Sequence, residues 1–195
     1  MKSPIKLCFA SSNKGKLIEV KNILEPLIEI KGLSEVGWEG VLPETGQSFE
    51  ENALQKIQTF NAQTGLDGFA EDSGLVINAL DGRPGIYTAR YAGPQATADD
   101  NMSLVLNQLK HKDDRSAKFV AVIALMYQGQ TQLFKGEVVG KIALKKSGAQ
   151  GFGYDPIFIP KGYGETFADL SAKVKNEISH RKMALIQLKA YLKDG

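Results

Sequence analysis

The sequence predicts an α/β protein with a mixed sheet. Short apolar segments alternate with segments whose apolar residues recur at helical spacing, as residues 6–10 and then 14–24 do. Two longer apolar segments, 120–127 and 132–138, lie on either side of Gln128-Gly129-Gln130 and predict an antiparallel hairpin. Because the earlier strand and helix units fit parallel pairing, we expect one sheet that contains both strand directions.

The N-terminal part of the chain is predicted to form two strands and two helices. A short buried strand precedes a helix over residues 14–24, and a second strand follows near 27–31. Ser48 and Glu51 have the spacing of a capping box, in which each side chain accepts a hydrogen bond from the backbone of the other residue. They predict the start of a second helix that ends near Thr64.

The central part of the chain is predicted to contain three short strands and one helix. The strands cover residues 69–71, 75–79 and 86–91. Thr97 is a suitable N-cap for a helix that reaches Lys110.

The C-terminal part follows the predicted hairpin. A further strand is expected at 139–144, a glycine-rich loop at 147–156 and a short strand at 156–159. Residues 179–192 predict a final helix, because their apolar side chains share one face.

The composition indicates a globular protein. Of the 195 residues, 43% are hydrophobic and 24% are charged, a balance unlike that of disordered or fibrous chains. A formal net charge of +2 is too small to indicate a nucleic-acid partner. The longest apolar segment, 119–127, has about half of the ~20 residues that a membrane helix needs, and residues 1–6 lack the apolar core of a signal peptide. Since Cys8 is the only cysteine, a reducing compartment is expected, and with the short apolar segments this indicates a cytoplasmic protein with no membrane partner. The length of 195 residues indicates a single domain over residues 1–195.

Two segments carry polar groups that are suited to phosphate. Ser11-Ser-Asn-Lys-Gly-Lys16 lies between a predicted strand and a predicted helix, where backbone N–H groups attract anions. A helix cap with solvated lysines also explains this segment. Lys56 stands beside the apolar stripe of the second helix, near Asn52. It fits either a phosphate ligand in a polar cleft or a side chain that extends from the edge of the core to solvent.

Two adjacent acids, Glu71 and Asp72, indicate a metal site. They follow a short predicted strand and precede a glycine turn. Mg²⁺ in proteins usually takes one or two carboxylates together with phosphate oxygens and water. Glu44, in the loop 43–46, offers a second acidic ligand, although an acidic turn without metal fits the same pattern.

Two further segments carry groups that are suited to a nucleobase. Gly151-Phe-Gly-Tyr-Asp-Pro156 combines glycines that permit close approach with two aromatic rings that can stack on a heterocycle. Lys175, His180 and Arg181 supply hydrogen-bond donors before the final helix. The alternative for residues 151–156 is a hairpin loop with packed aromatic side chains. The alternative for His180 and Arg181 is a pair of surface side chains.

Taken in order, these segments resemble the inosine triphosphate pyrophosphatase family of house-cleaning nucleotide hydrolases. The similarity extends from about Leu7 to Leu192. The motifs that carry it are Ser11-Ser-Asn-Lys-Gly-Lys16, Glu44-Thr-Gly46, Phe49-x-Glu-Asn-Ala53 with Lys56, Glu71-Asp-Ser-Gly-Leu75, Pro84-Gly-Ile-Tyr-x-Ala-Arg-Tyr91, Gly151-Phe-Gly-Tyr-Asp-Pro-Ile-Phe158 and Ile178-Ser-His-Arg181.

The resemblance implies a role for each matching residue. The residues expected to bind the phosphate tail are Ser11, Ser12, Asn13, Lys14, Gly15, Lys16 and Lys56. Those expected to contact the nucleoside are Ser73, Phe152, Gly153, Tyr154, Asp155 and Lys175, with His180 and Arg181 reading the base. Glu44 and Asp72 are expected to hold one or more Mg²⁺ ions per subunit, and Asp72 is also the expected proton acceptor. Many family members have two aspartates where this chain has Glu71-Asp72, so Glu71 is interpreted either as a supporting ligand or as a water-orienting group.

The resemblance also implies an activity and an architecture. The expected reaction is hydrolysis of aberrant purine nucleoside triphosphates such as ITP, dITP and XTP between the α and β phosphates. Arg181 or a backbone N–H is expected to donate to the carbonyl at position 6 of the base. ATP has an amino group there, which is itself a donor, so neither group is satisfied and binding is weakened by about 1 to 3 kcal/mol. The expected fold is an elongated mixed sheet with flanking helices, two lobes around a central nucleotide-binding cleft, and a homodimeric assembly. A Maf-like pyrophosphatase with other nucleotide substrates and a sensor that binds nucleotides without hydrolysis are the alternatives.

Overall fold

The computed structural model describes residues 4–194, the last of them by its backbone only. Within these residues the chain divides into two compact units, each assembled from separate segments. The first unit contains 4–72, 121–136 and 181–194, and the second contains 73–120 and 137–180. The expectation of a single domain stays a prediction.

The strands form a mixed sheet, as predicted. Their bounds are β1 Ile5–Phe9, β2 Ile28–Gly32, β3 Gly68–Ile77, β4 Ser116–Tyr127, β5 Gln130–Ile142 and β6 Phe158–Pro160. They are hydrogen-bonded in the order β2-β1-β3-β4-β5-β6. β1 is parallel to β2 and to β3, whereas β5 and β6 are antiparallel. Strands β3, β4 and β5 each contribute residues to both units.

The helices lie between these strands along the chain. Their bounds are α1 Lys14–Leu24, α2 Phe49–Thr64, α3 Ala98–Gln108, α4 Ala172–Ile178 and α5 His180–Asp194. The prediction did not include α4, which is short and is separated from α5 by one residue, Ser179. Among the described residues, no helix is long and apolar enough to cross a membrane.

The start of α2 follows the predicted cap only in part. The side-chain oxygen of Ser48 accepts a hydrogen bond from the backbone N–H of Glu51 at 3.1 Å. The carboxylate of Glu51 accepts from the N–H of Gln47 at 2.6 Å, one residue before the position that a capping box requires. The helix ends at Gly65, whose φ of +67° is a left-handed conformation that glycine adopts without strain.

Three of the predicted strand assignments were wrong. Residues 139–144 were predicted as a further strand, but Gln130–Ile142 is one continuous strand. Residues 69–71 and 75–79 were predicted as separate strands, but Gly68–Ile77 is one continuous strand that passes through the acidic pair and the glycine. Gly85–Arg90 is a 3₁₀ helix where a strand was predicted at 86–91. The hydroxyl of Thr88 donates to the carbonyl of Gly85 and accepts from the N–H of Leu75, so this segment uses its polar groups in a turn rather than in a strand ladder.

The hairpin between β4 and β5 matches its prediction. Gln128 and Gly129 connect the strands, and both have positive φ, at 50° and 75°. Two consecutive residues of this kind form the turn that matches the twist of paired antiparallel strands. Most of β4 is buried, which agrees with its nearly continuous apolar sequence.

Each unit has its own hydrophobic core. In the first unit, Phe9 of β1 stacks on Phe69 of β3 with ring centroids 5.0 Å apart, and Val20 of α1 and Leu185 of α5 belong to the same cluster. Burying each such side chain contributes roughly 1.5 to 3 kcal/mol. This packing fixes the position of the first half of β3, the part of the strand that carries the acidic pair.

The second core is rich in aromatic side chains. The ring of Phe158 lies 4.6 Å from that of Phe119 and 5.3 Å from that of Phe167, measured between centroids. Tyr154 and Ile157 belong to the same cluster. The glycine-rich loop that precedes β6 is therefore anchored at its end by buried residues.

Candidate active site

The segment between β1 and α1 forms a capped helix start. The side chain of Asn13 caps α1 by accepting from the N–H of Lys16 at 3.1 Å, and Ser11 Oγ accepts from the N–H of Asn13 at 3.2 Å. Ser12 and Lys14 are exposed, and Gly15 is half-buried in the first turn.

Lys16 points into the protein rather than into solvent. Its Nζ lies 3.2 Å from Oε1 of Glu71, whose side chain is fully buried. Burial lowers the pKa of Lys16, and the carboxylate of Glu71 acts in the opposite direction. An incoming anion would act in the same direction as Glu71 and favour the charged ammonium.

Glu44 and Asp72, which are 28 positions apart in the chain, converge on one ammonium group. Lys56 Nζ lies 2.6 Å from Oε1 of Glu44 and 3.3 Å from Oδ1 of Asp72. It also donates to the backbone oxygen of Glu71 at 2.8 Å. Lys56 is therefore buried beside charged partners, so the interpretation that its side chain extends to solvent is wrong, and its role as a phosphate ligand stays a prediction.

The carboxyl group of Asp72 is held in an environment that disfavours its ionised form. Burial raises the pKa of Asp72, while Lys56, Lys16 and the side-chain amide of Asn52 act to lower it. A carboxylate with a raised pKa is a better proton acceptor than an exposed one. Such a perturbed acid beside lysines is typical of a catalytic site.

Glu71 binds two cations. Its two carboxylate oxygens accept from Nε and Nη2 of Arg181, at 2.7 and 2.8 Å, while Oε1 also lies near Lys16. Arg181 Nη1 donates to the carboxylate of Glu19. Burial disfavours the charge of Arg181, but Glu71 and Glu19 raise its pKa overall. Glu71 is thus an ion-pair partner in this structure, and its interpretation as a supporting ligand or a water-orienting group stays a prediction.

The residues predicted to surround the base lie in the second unit, except for Arg181. Asp155 Oδ2 accepts from Lys175 Nζ at 2.7 Å and from the N–H of Phe152 at 2.8 Å. The Nζ atom of Lys175 lies 4.7 Å from the centre of the Phe152 ring. The Tyr154 hydroxyl donates to the carbonyl of Thr88 at 2.8 Å, and burial raises the pKa of Tyr154.

The remaining predicted contacts are also in the second unit. His180 is buried, and its ring stacks on Phe119 with centroids 4.9 Å apart. Ser73 is half-buried in β3, directly after Asp72. Gly153 has a positive φ of 63°, so a side chain at this loop position would strain the backbone.

Asn52 and Glu19 are site residues that sequence reasoning did not assign. Asn52 contacts Asp72, and its polar side chain on the apolar stripe of α2 was a visible sign that it needed a buried partner. Glu19 contacts Arg181, but its position on α1 carries no sign of this, because an exposed glutamate on a helix looks the same in sequence.

The acidic residues fit a magnesium ion. Among residues 4–194, no group of three or more His, Cys, Asp and Glu side chains is arranged to hold a metal. Glu44 and Asp72 nevertheless approach one Lys56 nitrogen, so their oxygens face a common position. Two hard carboxylate ligands are what Mg²⁺ uses when substrate phosphates supply further oxygens.

Comparison with known proteins gives full-length matches. A family model described as the Ham1 family matches residues 7–191. The dITP/XTP pyrophosphatase of Flavobacterium johnsoniae is 44% identical over 184 residues, covering 94% of this chain and 96% of that protein. The protein of the same name from Bacillus subtilis is 44% identical over 187 residues, covering 94% of each chain.

Solved structures give the same result. A HAM1 protein from Coxiella burnetii has a TM-score of 0.90 at 40% identity, covering 98% of this chain and 100% of that one. The Ham1 protein of Staphylococcus aureus has a TM-score of 0.88 at 42% identity, covering 97% and 98%. The mixed α/β fold with flanking helices is therefore confirmed.

Proposed function

Because this chain belongs to the Ham1 family, as its motifs predicted, we propose that it hydrolyses ITP, dITP and XTP to the nucleoside monophosphate and pyrophosphate. Relatives that match over almost their whole length are named dITP/XTP pyrophosphatase. The observation that carries the proposal is the convergence of Glu44 and Asp72 on Lys56 in the first unit.

The phosphate tail would bind beside Lys16 and Lys56. Phosphoryl transfer requires the negative charge on the phosphates to be neutralised and the attacking water to be aligned with the leaving oxygen. Both ammonium groups are enclosed and held in place by carboxylates, so little side-chain entropy is lost when an anion binds. Backbone N–H groups at the start of α1, with Ser11 and Asn13, add donors.

Mg²⁺ would bind to Glu44 and Asp72, where it supplies charge neutralisation and lowers the pKa of water. For these oxygens to reach a shared ion, the ammonium of Lys56 must turn away from them toward the phosphates. Lys56 would keep one hydrogen bond as it turns, because its ammonium also donates to the carbonyl oxygen of Glu71. Asp72 would then orient the attacking water and take its proton, a role that suits its raised pKa.

Base recognition would fall to the loop that contains Phe152 and Asp155, together with Lys175. The partly exposed Phe152 ring offers a stacking surface, and the buried Asp155 fixes the loop around it. The three guanidinium nitrogens of Arg181 already donate to Glu71 and Glu19, which favours a backbone N–H over Arg181 as the group that reads position 6. His180 remains a proposed base contact.

We also infer a cytoplasmic homodimer. The buried state of the single cysteine, Cys8, fits a reducing compartment. Tyr87 is an exposed aromatic side chain, and aromatic residues are enriched in contacts between subunits. Sedimentation equilibrium on the wild type and on Tyr87→Lys measures this assembly, and a monomeric wild type at micromolar concentration contradicts it.

The experiment that tests the activity is a substrate panel with two phosphate readouts. ITP, dITP, XTP, GTP, ATP, UTP, TTP and methylated GTP are incubated with Mg²⁺ or with EDTA, and pyrophosphate and orthophosphate are measured separately. We expect Mg²⁺-dependent pyrophosphate release that is fastest for ITP, dITP and XTP and is lost in Asp72→Asn. Asp81→Asn is the matched control, because the Asp81 side chain is 93% exposed.

Three outcomes contradict the proposal. Faster turnover of UTP, TTP or methylated GTP than of ITP indicates a Maf-like enzyme. Orthophosphate alone indicates cleavage of the γ phosphate. Binding of ITP without release of either product indicates a sensor.

A further inference from the structure

Asn52 uses both ends of its side-chain amide inside the first unit. Its Oδ1 accepts from the backbone N–H of Gly46 at 2.8 Å, and its Nδ2 donates to Oδ2 of Asp72 at 3.1 Å. The side chain is 1% exposed. Since only the oxygen can accept and only the nitrogen can donate, these two partners determine the orientation of the amide.

The partner at one end belongs to the loop that carries Glu44. Gly46 lies two residues after Glu44, and a Cβ at Gly46 would come within 2.6 Å of Cβ of Glu51 and 3.2 Å of the backbone nitrogen of Asn52. The loop therefore lies directly on the first turn of α2, closer than any residue with a side chain could approach. Within that turn, Asn52 is the residue whose side chain donates a hydrogen bond to Asp72.

A second tether holds the same loop but does not contact Asp72. Gln55 Oε1 accepts from the N–H of Thr45 at 2.9 Å, and Gln55 Nε2 donates to Thr45 Oγ1 at 2.7 Å. Gln55 is thus a natural comparison for Asn52, because both residues bind the loop from α2 through a side-chain amide.

We propose that Asn52 is a positioning residue that sets the Glu44 loop and the Asp72 carboxylate at the separation required to bind one divalent cation; this inference rests on the proposed function. Mg²⁺ demands near-ideal octahedral geometry, so two carboxylates from separate segments must be held at a fixed separation and orientation. Groups that orient ligating side chains typically change metal affinity by about 10- to 100-fold when they are removed.

The chemistry of an amide is suited to this role. An aspartate at position 52 would still accept from Gly46 but would place a second carboxylate against Asp72, without a donor between them. An alanine would leave the N–H of Gly46 and one oxygen of Asp72 without these hydrogen bonds. Neither change alters a proposed ligand.

The test measures Mg²⁺ binding to the substrate-free protein by isothermal titration calorimetry, with MgCl₂ as the probe. The proteins are wild type, Asn52→Ala, Asn52→Asp and Gln55→Ala. We expect Asn52→Ala and Asn52→Asp to bind Mg²⁺ about 10- to 100-fold more weakly, while Gln55→Ala binds it as the wild type does. The urea midpoint of each variant is measured in parallel, so that weak binding by a partly unfolded protein is recognised.

Tighter Mg²⁺ binding by Asn52→Asp overturns the proposal, because it would mean that added negative charge matters more than the hydrogen bond to Asp72. Wild-type affinity in both Asn52 variants, an equal loss in Gln55→Ala, or a wild type that binds no Mg²⁺ also overturns it. Pyrophosphate release from ITP by the wild type is measured separately. Failure of that release rejects the proposed activity, whereas the calorimetric comparison still decides the role of Asn52.

Discussion

Arg181 and Glu71 form a two-point ion pair in which Nε and Nη2 of the guanidinium donate to separate carboxylate oxygens, at 2.7 and 2.8 Å. Both side chains are buried. The pair joins the start of α5 to the middle of β3, and Lys16 and Glu19 extend it to α1.

Glu71→Gln is expected to destabilise the protein by about 3 to 5 kcal/mol, because it leaves the buried charge of Arg181 with one fewer carboxylate. Urea unfolding at neutral pH measures this loss. The double variant Glu71→Gln/Arg181→Gln should recover part of the stability, because the buried guanidinium charge is removed together with its partner, while Lys16 loses its contact with Glu71 in both variants. Glu29→Gln is the matched control, because Glu29 pairs with Lys6 on the surface and such pairs contribute about 0 to 1 kcal/mol. An equal loss of unfolding free energy in Glu71→Gln and Glu29→Gln would show that the buried pair contributes no more stability than a surface pair.

Lys56→Met is expected to lower kcat/KM for ITP by about 100-fold or more. The substitution removes a buried cation that faces both Glu44 and Asp72, and loss of one charge-stabilising donor at a reacting phosphate typically has an effect of about 100- to 1,000-fold. Steady-state pyrophosphate release measures the change. Lys6→Met removes an exposed lysine and should leave kcat/KM unchanged. A Lys56→Met enzyme with wild-type kinetics would exclude Lys56 from the phosphate site.

Phe152→Ala is expected to raise KM for ITP with a smaller effect on kcat. Stacking of a base on an aromatic side chain is worth about 1 to 3 kcal/mol, which corresponds to about a 5- to 150-fold change in KM. Tyr163→Ala is the matched control, since Tyr163 is 39% exposed and Phe152 is 37% exposed in the same unit. Similar KM values for the two variants would argue against stacking on Phe152.

Local signals in the sequence were sufficient to predict the bounds of α1 and α2 in the first unit. The helix α1 has the predicted bounds, and α2 starts after Ser48 and ends at Thr64, because caps and apolar spacing act over a few residues. The segment 85–90 was assigned wrongly for the same reason. Its apolar residues fit a strand, whereas the hydrogen bonds of Thr88 that favour a turn depend on its contact with Leu75.

Pairings between distant residues could not be read from the sequence. Glu71 and Arg181 are 110 positions apart, and neither residue alone shows that the other neutralises it. The sequence suggested Glu44 as a second acidic ligand beside Asp72, and the family resemblance assigned both to one metal, but neither gave their distance from each other. The position of Lys56 between them depends on how α2 packs against β3, which is a property of the folded chain.

Cys8 is a free cysteine that is buried in β1. Burial, together with the negative charge of Glu35, raises the pKa of Cys8 from 9.0 to about 12. Below about pH 8 the thiol is protonated in both folded and unfolded chains, so it does not make stability depend on pH. Between pH 9 and 12 the unfolded chain loses this proton while the folded chain retains it, and stability should fall by at most about 1.4 kcal/mol per pH unit from this group. Urea unfolding between pH 8 and 10.5 on wild type and Cys8→Ala measures the difference, since the two proteins differ only at this side chain. We expect the wild type to lose stability more steeply than Cys8→Ala above pH 9, and parallel curves would contradict the raised pKa.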